Sequence, residues 1–442
     1  MSASTTSTPD ALLVRALGVR ELAATIFNYT VGSGIFALPA VAVARLGGAA
    51  PLAYIVCAIV MVCVVLCFAE AGSRVSLTGG PYAYVEVALG PLVGFAAGAL
   101  LLVTGLTAGA AVAVLFAESL ASFAAPGGAR AALTAALILI VIGALALLNI
   151  RGIRRGVRMV EIVTVAKLVP LVAFVAVGAA FVKPEHLAWG GAPPLAKVLG
   201  TAGIVIFAFS GIESALTPSG EVRAPARTVP RASFLALGAV TVLYLAIQWV
   251  ALGIEGRSLA ATGATPLAAA ARTFAGPAGR AVMIAGATVS MLGYLSGNVL
   301  AVPRSLFAFA RDGFLPRRLA AVHPRYRTPH VAVACYAVLI AALALSGTFE
   351  QLAVFANLTA FVLYILCAVG VWRLRRLDVR AEGEPFVIPG GPIVPLATCL
   401  LDAGLIVETA AAKDLAALAA LAGAAVLLYG LREHRRTNSR GP

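Results

Sequence analysis

Two short runs of small and polar residues interrupt long apolar segments of the sequence, and both could bind a ligand through the main chain. The first is Gly-Ser-Gly at 32–34, and the second is Phe-Ser-Gly at 209–211. A continuous helix in lipid satisfies its backbone polar groups internally, whereas a broken helix leaves some of them free. The N–H groups that begin a half-helix suit a carboxylate, and the carbonyl groups at the second break suit an ammonium group. A zwitterion therefore fits a site formed by both breaks.

Among the charged residues within apolar segments, two are candidates for ion coupling, Lys167 and Glu213. Lys167 stands about two turns inside the run 161–182, where a charge costs at least ~2.5–3.5 kcal/mol. It could transfer protons, clamp neighbouring helices as a fixed charge, or extend to the membrane surface. Glu213 follows the second break and could sense protons, couple two gates, or only accept hydrogen bonds from helix ends.

The composition requires lipid as the solvent for most of the chain. The sequence has 442 residues, of which 61% are hydrophobic and 12% charged, and its mean hydropathy is +0.98. A soluble domain is roughly 45–50% apolar and about 25% charged. The net charge of +14 comes mainly from arginines between apolar blocks, so we expect no nucleic-acid partner. The six cysteines lie in apolar runs without a CxxC pair; we expect neither a metal nor an organic cofactor, and proton coupling stays open.

The apolar runs predict an all-α polytopic membrane protein with about twelve transmembrane helices, because a bilayer core needs roughly 20 apolar residues per helix. The runs lie at approximately 22–44, 49–72, 92–122, 131–149, 161–182, 199–217, 234–254, 280–302, 331–346, 350–372, 391–410 and 414–431. About three quarters of the 33 Lys and Arg residues fall on one side of this arrangement, which predicts that both termini are cytoplasmic. The two broken runs are the first and the sixth, as expected of inverted repeats with a shared binding site.

Four motifs resemble the amino acid–polyamine–organocation permeases. They are Gly-Ser-Gly-Ile-Phe-Ala-Leu-Pro at 32–39, Phe-Ala-Glu-Ala-Gly-Ser-Arg at 68–74 with Thr-Gly-Gly-Pro-Tyr at 78–82, Phe-Ser-Gly-Ile-Glu-Ser at 209–214, and Arg-Ser-Leu at 304–306 with Ala-Arg-Asp-Gly at 310–313. The resemblance implies a leucine-transporter-like core of two inverted five-helix repeats plus two peripheral helices. It also implies alternating access for an amino acid or amine.

The resemblance also implies roles for individual residues. Phe207 corresponds to the aromatic residue that closes over the substrate from outside, although a core or lipid-facing phenylalanine would also fit. Asn298 stands where the arginine/agmatine antiporter has an aromatic contact, which favours a smaller neutral amino acid over a guanidinium substrate. Lys167 matches the lysine that proton-coupled and sodium-independent members carry where sodium-coupled relatives place an ion, which implies that it replaces a bound cation. The expected substrate-binding residues are Thr30, Gly32, Ser33, Gly34, Ile35, Phe207, Phe209, Ser210, Gly211 and Asn298, with Lys167 and Glu213 as coupling residues.

The expected organisation follows from the spans and the resemblance together. We expect a cytoplasmic tail at 1–20, a first repeat at 21–182, an extracytoplasmic connector at 183–198, a second repeat at 199–372, a cytoplasmic loop at 373–390, two peripheral helices at 391–431 and a cytoplasmic tail at 432–442. The expected location is the plasma (inner) membrane, and the expected state is a monomer or homodimer.

A secondary carrier for a small or medium neutral amino acid, proton-coupled or sodium-independent, is the function that these features favour. An exchanger, or a polyamine or organic-cation carrier of the same fold, stays open. An intramembrane enzyme is disfavoured because the sequence has no HExxH or GxSxG motif.

Overall fold

The computed structural model describes residues 17–77, 79–124, 127–152, 157–217, 219–381 and 383–439. Most of the predicted tail 1–20 and Thr78 of the second motif lie outside these ranges. The described chain is almost entirely helical, and its β-type pairing is confined to a bridge between Leu17 and Val222. The prediction of an all-α protein is confirmed.

The helices follow the predicted runs closely. They are α1 Val19–Thr30, α2 Gly34–Leu46, α3 Pro51–Arg74, α4 Pro81–Leu89, α5 Pro91–Ala121, α6 Gly128–Ile150, α7 Val157–Gly178, α8 Leu195–Val205, α9 Ile212–Ala215, α10 Pro225–Glu255, α11 Pro266–Arg311, α12 His330–Ser346, α13 Phe349–Arg376, α14 Ile393–Thr409 and α15 Ala412–Ser439. Several begin with proline, which fits the first turn because its missing N–H would have no partner there. The short helix α4 lies between two predicted runs. Within α11 the chain turns at Gly276, where φ is 62°.

Within the described ranges, eight helical segments are long and apolar enough to cross a membrane. The bent pair α1–α2 gives a ninth span, and two further apolar helices, Ala166–Phe181 and His330–Ser346, are shorter. The protein is therefore a multi-pass membrane protein, and the number twelve stays a prediction.

Burial separates an inner set of helices from an outer set. The spans at 195–215 and 91–121 have 72% and 67% of their apolar windows buried inside the protein, whereas α6 has 22% and α15 has 6%. A helix that buries so little of itself against protein must present its apolar surface to lipid. Helix α14 differs from α15 because it packs against α3, α8 and α13.

One end of the bundle is held by a buried carboxylate. Glu70 at the end of α3 accepts hydrogen bonds from Arg74 (3.0 Å), from Arg375 of α13 (2.6 Å) and from the main-chain N–H of Ile388 (2.9 Å). Glu70 and Arg74 stand four residues apart on α3, and the added bond from Arg375 ties α3 to α13. We call the end of the bundle around Glu70, Arg74 and Arg375 the arginine-rich end.

Candidate functional site

The first break lies where the Gly-Ser-Gly run predicted it. Helix α1 ends at Thr30, α2 begins at Gly34, and the two helices are bent by 50°. The first N–H groups of α2 have no partner within that helix, so its N-terminus is a polar surface inside the protein.

The second break follows α8. A 3₁₀ turn at Ile206–Ala208 leads to Gly211, whose φ of 117° lies in the left-handed region that only glycine adopts readily, and α9 then begins at Ile212. A Cβ atom at Gly211 would lie 2.7 Å from the carbonyl oxygen of Tyr29. The second break therefore requires glycine for its conformation and for its contact with the end of α1.

The two breaks touch each other. A Cβ atom on Gly34 would lie 2.7 Å from Cα of Ala208. The hydroxyl of Tyr244 in α10 donates to the carbonyl oxygens of Thr30 and Ala208, both at 2.9 Å. The predicted breaks and their proximity are confirmed. The single hydroxyl hydrogen of Tyr244 is shared between one carbonyl at each break, a link that the sequence did not indicate.

A cavity of about 350 Å³ opens beside both breaks. Nine predicted residues line it: Thr30, Gly32, Ser33, Gly34, Phe207, Ser210, Gly211, Glu213 and Asn298. Ile35 and Phe209 lie in the packed core, where 0% and 1% of their surfaces are exposed. Lys167 lies behind the first break and is not among the lining residues.

The remaining wall of the cavity comes from three helices. The lining residues that sequence reasoning missed include Leu101, Leu102, Gly105, Ala108 and Val112 of α5, Tyr294, Gly297 and Ala301 of α11, and Ala356 and Asn357 of α13. This wall is mostly apolar or small. Its residues were not apparent because α5 is apolar on every face, so its pattern does not show which side borders a cavity.

Lys167 supports the end of α1. Its side chain is 2% exposed, and Nζ donates to the carbonyl oxygens of Asn28 (2.6 Å) and Val31 (2.7 Å). Carbonyl groups at a helix C-terminus lack partners and carry the negative end of the helix dipole. The hydroxyl of Ser290 in α11 adds a longer bond to Gly32 O at 3.3 Å. Lys167 thus clamps α7 to the first break and does not extend to the surface.

Glu213 holds the second break. Its carboxylate accepts from the N–H of Gly211, at 3.0 and 3.1 Å for its two oxygens, and from the hydroxyl of Tyr364 in α13 at 3.0 Å. The side chain is 2% exposed and borders the cavity. The hydrogen bonds expected from a helix end are present, and the carboxylate also borders the cavity.

Asn298 joins three helices at the cavity wall. Its Nδ2 donates to Gly105 O of α5 at 3.0 Å, and its Oδ1 accepts from the hydroxyl of Tyr336 in α12. These two bonds fix the Asn298 amide in the cavity wall where α5, α11 and α12 meet.

Phe207 lines the cavity towards the end opposite the arginine-rich end. The ring of Phe207 meets that of Phe349 edge-on at 5.7 Å, and the guanidinium of Arg45 lies 2.7 Å from the carboxylate of Glu350. In the other direction the lining continues to Glu221 and Ser305. A ligand would thus meet an aromatic barrier on one side and polar residues on the other.

Comparison with known proteins identifies the family of this chain. A model of the family described as amino acid permease matches residues 17–419. The chain belongs to this amino acid permease family. The resemblance drawn from the four motifs is confirmed.

Three curated relatives of this permease are similar along most of their length. An uncharacterized transporter of Mycobacterium tuberculosis is 32% identical over 96% of this chain and 92% of its own. The branched-chain amino acid permease of Bacillus subtilis is 26% identical over 87% and 85%. The serine/threonine exchanger of the same species is 27% identical over 97% and 99%.

Proposed function

We propose that this permease is a secondary active transporter of small or medium neutral amino acids that works by alternating access. One observation carries the proposal: the breaks at 31–33 and 209–211 touch each other beside an internal cavity. A carboxylate binds at the N-terminus of α2, where free N–H groups and the helix dipole both favour an anion. The ammonium group lies against the second break beside Glu213.

The cavity wall supports a neutral side chain. No lysine or arginine is among the described lining residues, and α5 and α11 contribute Leu101, Leu102, Ala108, Val112 and Ala301. An acidic side chain would lose its hydration without gaining a cation, which is unfavourable. The relatives named for branched-chain amino acids and for serine and threonine support the same class of substrate.

Lys167 supports transport without sodium. Its ammonium group already supplies a positive charge to the carbonyl groups at the end of α1. A metal cation at this place would have to compete with a covalently tethered charge. We propose that Lys167 replaces such a cation, and that Lys167 and Glu213 couple substrate movement to protons.

The proposed architecture has twelve spans, with α1–α2 and α8–α9 as the corresponding broken helices of two inverted five-helix repeats. Both termini are proposed to be cytoplasmic in the plasma membrane, with the arginine-rich end facing the cytoplasm. In this orientation Phe207 and Phe349 would close the cavity from the outer side, a role that their ring contact supports.

Exchange of two amino acids is the second candidate, because the serine/threonine exchanger matches nearly the whole chain. A carrier for polyamines is less supported. Its cavity should hold free acidic groups, whereas the Glu213 carboxylate accepts from Gly211 and Tyr364.

Uptake into proteoliposomes tests the proposal. The purified protein is reconstituted, and radiolabelled leucine, serine, glutamate, arginine and putrescine are supplied with and without an inward proton gradient, in sodium-free buffer. We expect accumulation of leucine or serine that increases with the proton gradient. Uptake that requires an internal amino acid and ignores the gradient would indicate exchange, and uptake of putrescine alone would contradict the proposal.

A further inference from the structure

An apolar groove lies between α7 and α10 on the outer surface of the bundle, apart from the central cavity. Its volume is about 650 Å³. The lining residues lie between Val172 and Ala176 of α7 and between Phe234 and Ala246 of α10, and none of them has a polar side chain. Because Val172 and Val242 are more than half exposed, the groove opens towards the lipid.

A glycine in α10 gives the groove its depth. Among the described residues, no heavy atom lies within 4 Å of the position that a Cβ atom on Gly238 would occupy. Leu235, about one turn earlier, is more than half exposed and projects beside this gap. An apolar depression of this kind on a membrane-facing surface is filled by hydrocarbon, because water and polar groups are unfavourable there.

Two arginines continue the same face of α10 beyond the groove. Arg227, Arg231 and Leu235 follow one another at intervals of four residues, so they lie on one side of the helix. Both arginine side chains are exposed, and within the described ranges neither guanidinium forms a hydrogen bond or an ion pair. The groove therefore begins about one turn from two positive charges.

The arginines lie at the end of the bundle, where a lipid headgroup is found. The start of α10 adjoins the arginine-rich end, since a Cβ atom on Gly72 would lie 3.0 Å from Cγ1 of Val229. The ring of Phe234 also meets that of Phe386 at 5.9 Å, in the loop that follows α13. Basic residues at this depth attract anionic lipids.

The length of the groove matches one leaflet of a bilayer. From Phe234 to Ala246 it extends about 18 Å along α10, and half of the hydrocarbon core is about 15 Å thick. An acyl chain that starts at the level of Arg231 can therefore follow the groove to the middle of the membrane.

We infer that the groove between α7 and α10 is a binding site for an anionic phospholipid. One acyl chain lies along the groove and over Gly238, and the headgroup phosphate pairs with Arg227 and Arg231. Arginine suits this role because its planar guanidinium binds phosphate oxygens in pairs. A zwitterionic headgroup would bring its own ammonium group towards the same arginines, so it binds less well.

The bound chain would contact the two helices that hold the first break. On their inner faces, Lys167 of α7 donates to the carbonyl oxygens of Asn28 and Val31, and Tyr244 of α10 donates to that of Thr30. A chain between α7 and α10 fills the space on their outer faces and supports the separation of these helices. The lipid is therefore expected to stabilise the protein against unfolding.

Photochemical labelling tests the site without relying on transport. The purified permease in detergent is mixed with phosphatidylglycerol whose acyl chain carries a diazirine, illuminated, digested and analysed by mass spectrometry. We expect adducts within 172–176 and 234–246, in an amount at least about fivefold above that given by phosphatidylcholine with the same chain, the effect of one arginine near an anionic lipid. Equal labelling by the two lipids would overturn the inference.

Variants of the arginines test recognition of the headgroup. The double variant Arg227→Gln, Arg231→Gln should reduce labelling by phosphatidylglycerol to the level of phosphatidylcholine. Arg373→Gln is the matched control, because Arg373 of α13 is exposed and lies near the same end of the bundle without a groove beside it. Labelling of the double variant equal to that of the control would refute the role of the arginines.

Filling the groove tests the seat of the acyl chain. Gly238→Leu places a side chain where no neighbour obstructs it, so the fold should persist while labelling within 234–246 falls at least about fivefold. Gly143→Leu on α6 is the control, since a Cβ there also has no atom within 4 Å, and it should leave labelling unchanged. Undiminished labelling of Gly238→Leu would contradict binding in the groove.

Competition on the wild-type protein distinguishes a lipid from a free phosphate. Unlabelled phosphatidylglycerol should suppress the adducts, whereas glycerol phosphate, which lacks acyl chains, should not; equal suppression would indicate a phosphate site only. This measurement still decides the matter if Gly238→Leu does not fold. Phosphatidylglycerol should also raise the unfolding temperature of the wild type, and no rise would contradict the support of α7 and α10.

Discussion

Gly34 of α2 and Ala208 of the 3₁₀ turn approach so closely that a Cβ atom on Gly34 would lie 2.7 Å from Cα of Ala208. This contact brings the two broken helices together. Gly34 is therefore required for packing between the breaks, and a side chain there would collide with the main chain before it reached the cavity.

Gly34→Val is expected to abolish transport and to destabilise the protein. Overpacking of a close contact costs about 1–3 kcal/mol, and here the obstacle is backbone, which cannot rotate away. Thermal unfolding in detergent together with leucine and serine uptake would measure both effects. A variant with wild-type stability would show that the breaks do not touch in this way.

Gly32→Ala tests substrate binding at the first break without disturbing the packing around it. The nearest atoms to a Cβ at this position are 3.9–4.0 Å away, which is ordinary contact, so the unfolding temperature should stay that of the wild type. The methyl group would nevertheless occupy cavity space beside the N-terminus of α2. We expect the apparent KM for uptake to rise about tenfold, as expected for a misfit of one methyl group. An unchanged KM would remove Gly32 from the site.

Lys167→Met should impair transport while the protein still inserts into the membrane. The carbonyl oxygens of Asn28 and Val31 would lose their donor, and buried acceptors left without partners cost about 1–3 kcal/mol each. We expect uptake to fall at least about tenfold. Ser290→Ala, which removes the longer bonds of this hydroxyl to Gly32 O (3.3 Å) and Val31 O (3.5 Å), serves as the milder control. Wild-type uptake by Lys167→Met would exclude a coupling role for this residue.

Gly297 offers a test of substrate size. A Cβ there would have Tyr29 Oη at 3.8 Å as its nearest neighbour, so the residue leaves room in the cavity wall. Gly297→Val should weaken inhibition of uptake by leucine more than by alanine, by about tenfold. Gly404 lies on α14 with no atom near its Cβ position. Gly404→Val should therefore change inhibition by neither leucine nor alanine. Equal losses for leucine and alanine would place the substrate side chain elsewhere.

Both breaks were predictable from the sequence because each places glycine and serine within an apolar run. Lys167 was predictable for a related reason, since a charge in such a run is costly. The partners of these residues were not predictable. Tyr244 and Tyr294 stand in apolar helices whose rotation about their axes is set by tertiary packing, and the sequence pattern does not determine it.

The partners of the polar residue Asn298 were not predictable from the sequence either. Its position in α11 was predictable, but its bonds to Gly105 and Tyr336 depend on how α5 and α12 approach. Ile35 and Phe209 adjoin the breaks in sequence, yet their side chains point into the core. Neighbouring residues of a helix point in different directions, so proximity to a break does not place a side chain in the cavity.

The arginine-rich end provides a stability test in which burial decides the outcome. Glu70 is 0% exposed and binds two arginines, whereas the pair formed by Asp378 and Arg380 in the following loop is exposed. Removal of one partner from a buried ion pair leaves an uncompensated charge and costs about 3–5 kcal/mol, whereas exposed pairs contribute little. Glu70→Gln should therefore lower the unfolding temperature markedly, and Asp378→Asn should leave it unchanged.

Because Arg375 also donates to Gly391 O, the loosening caused by Glu70→Gln should extend to the start of α14, where hydrogen exchange would detect it. Equal unfolding temperatures for the two variants would contradict a structural role for Glu70 in joining α3 to α13.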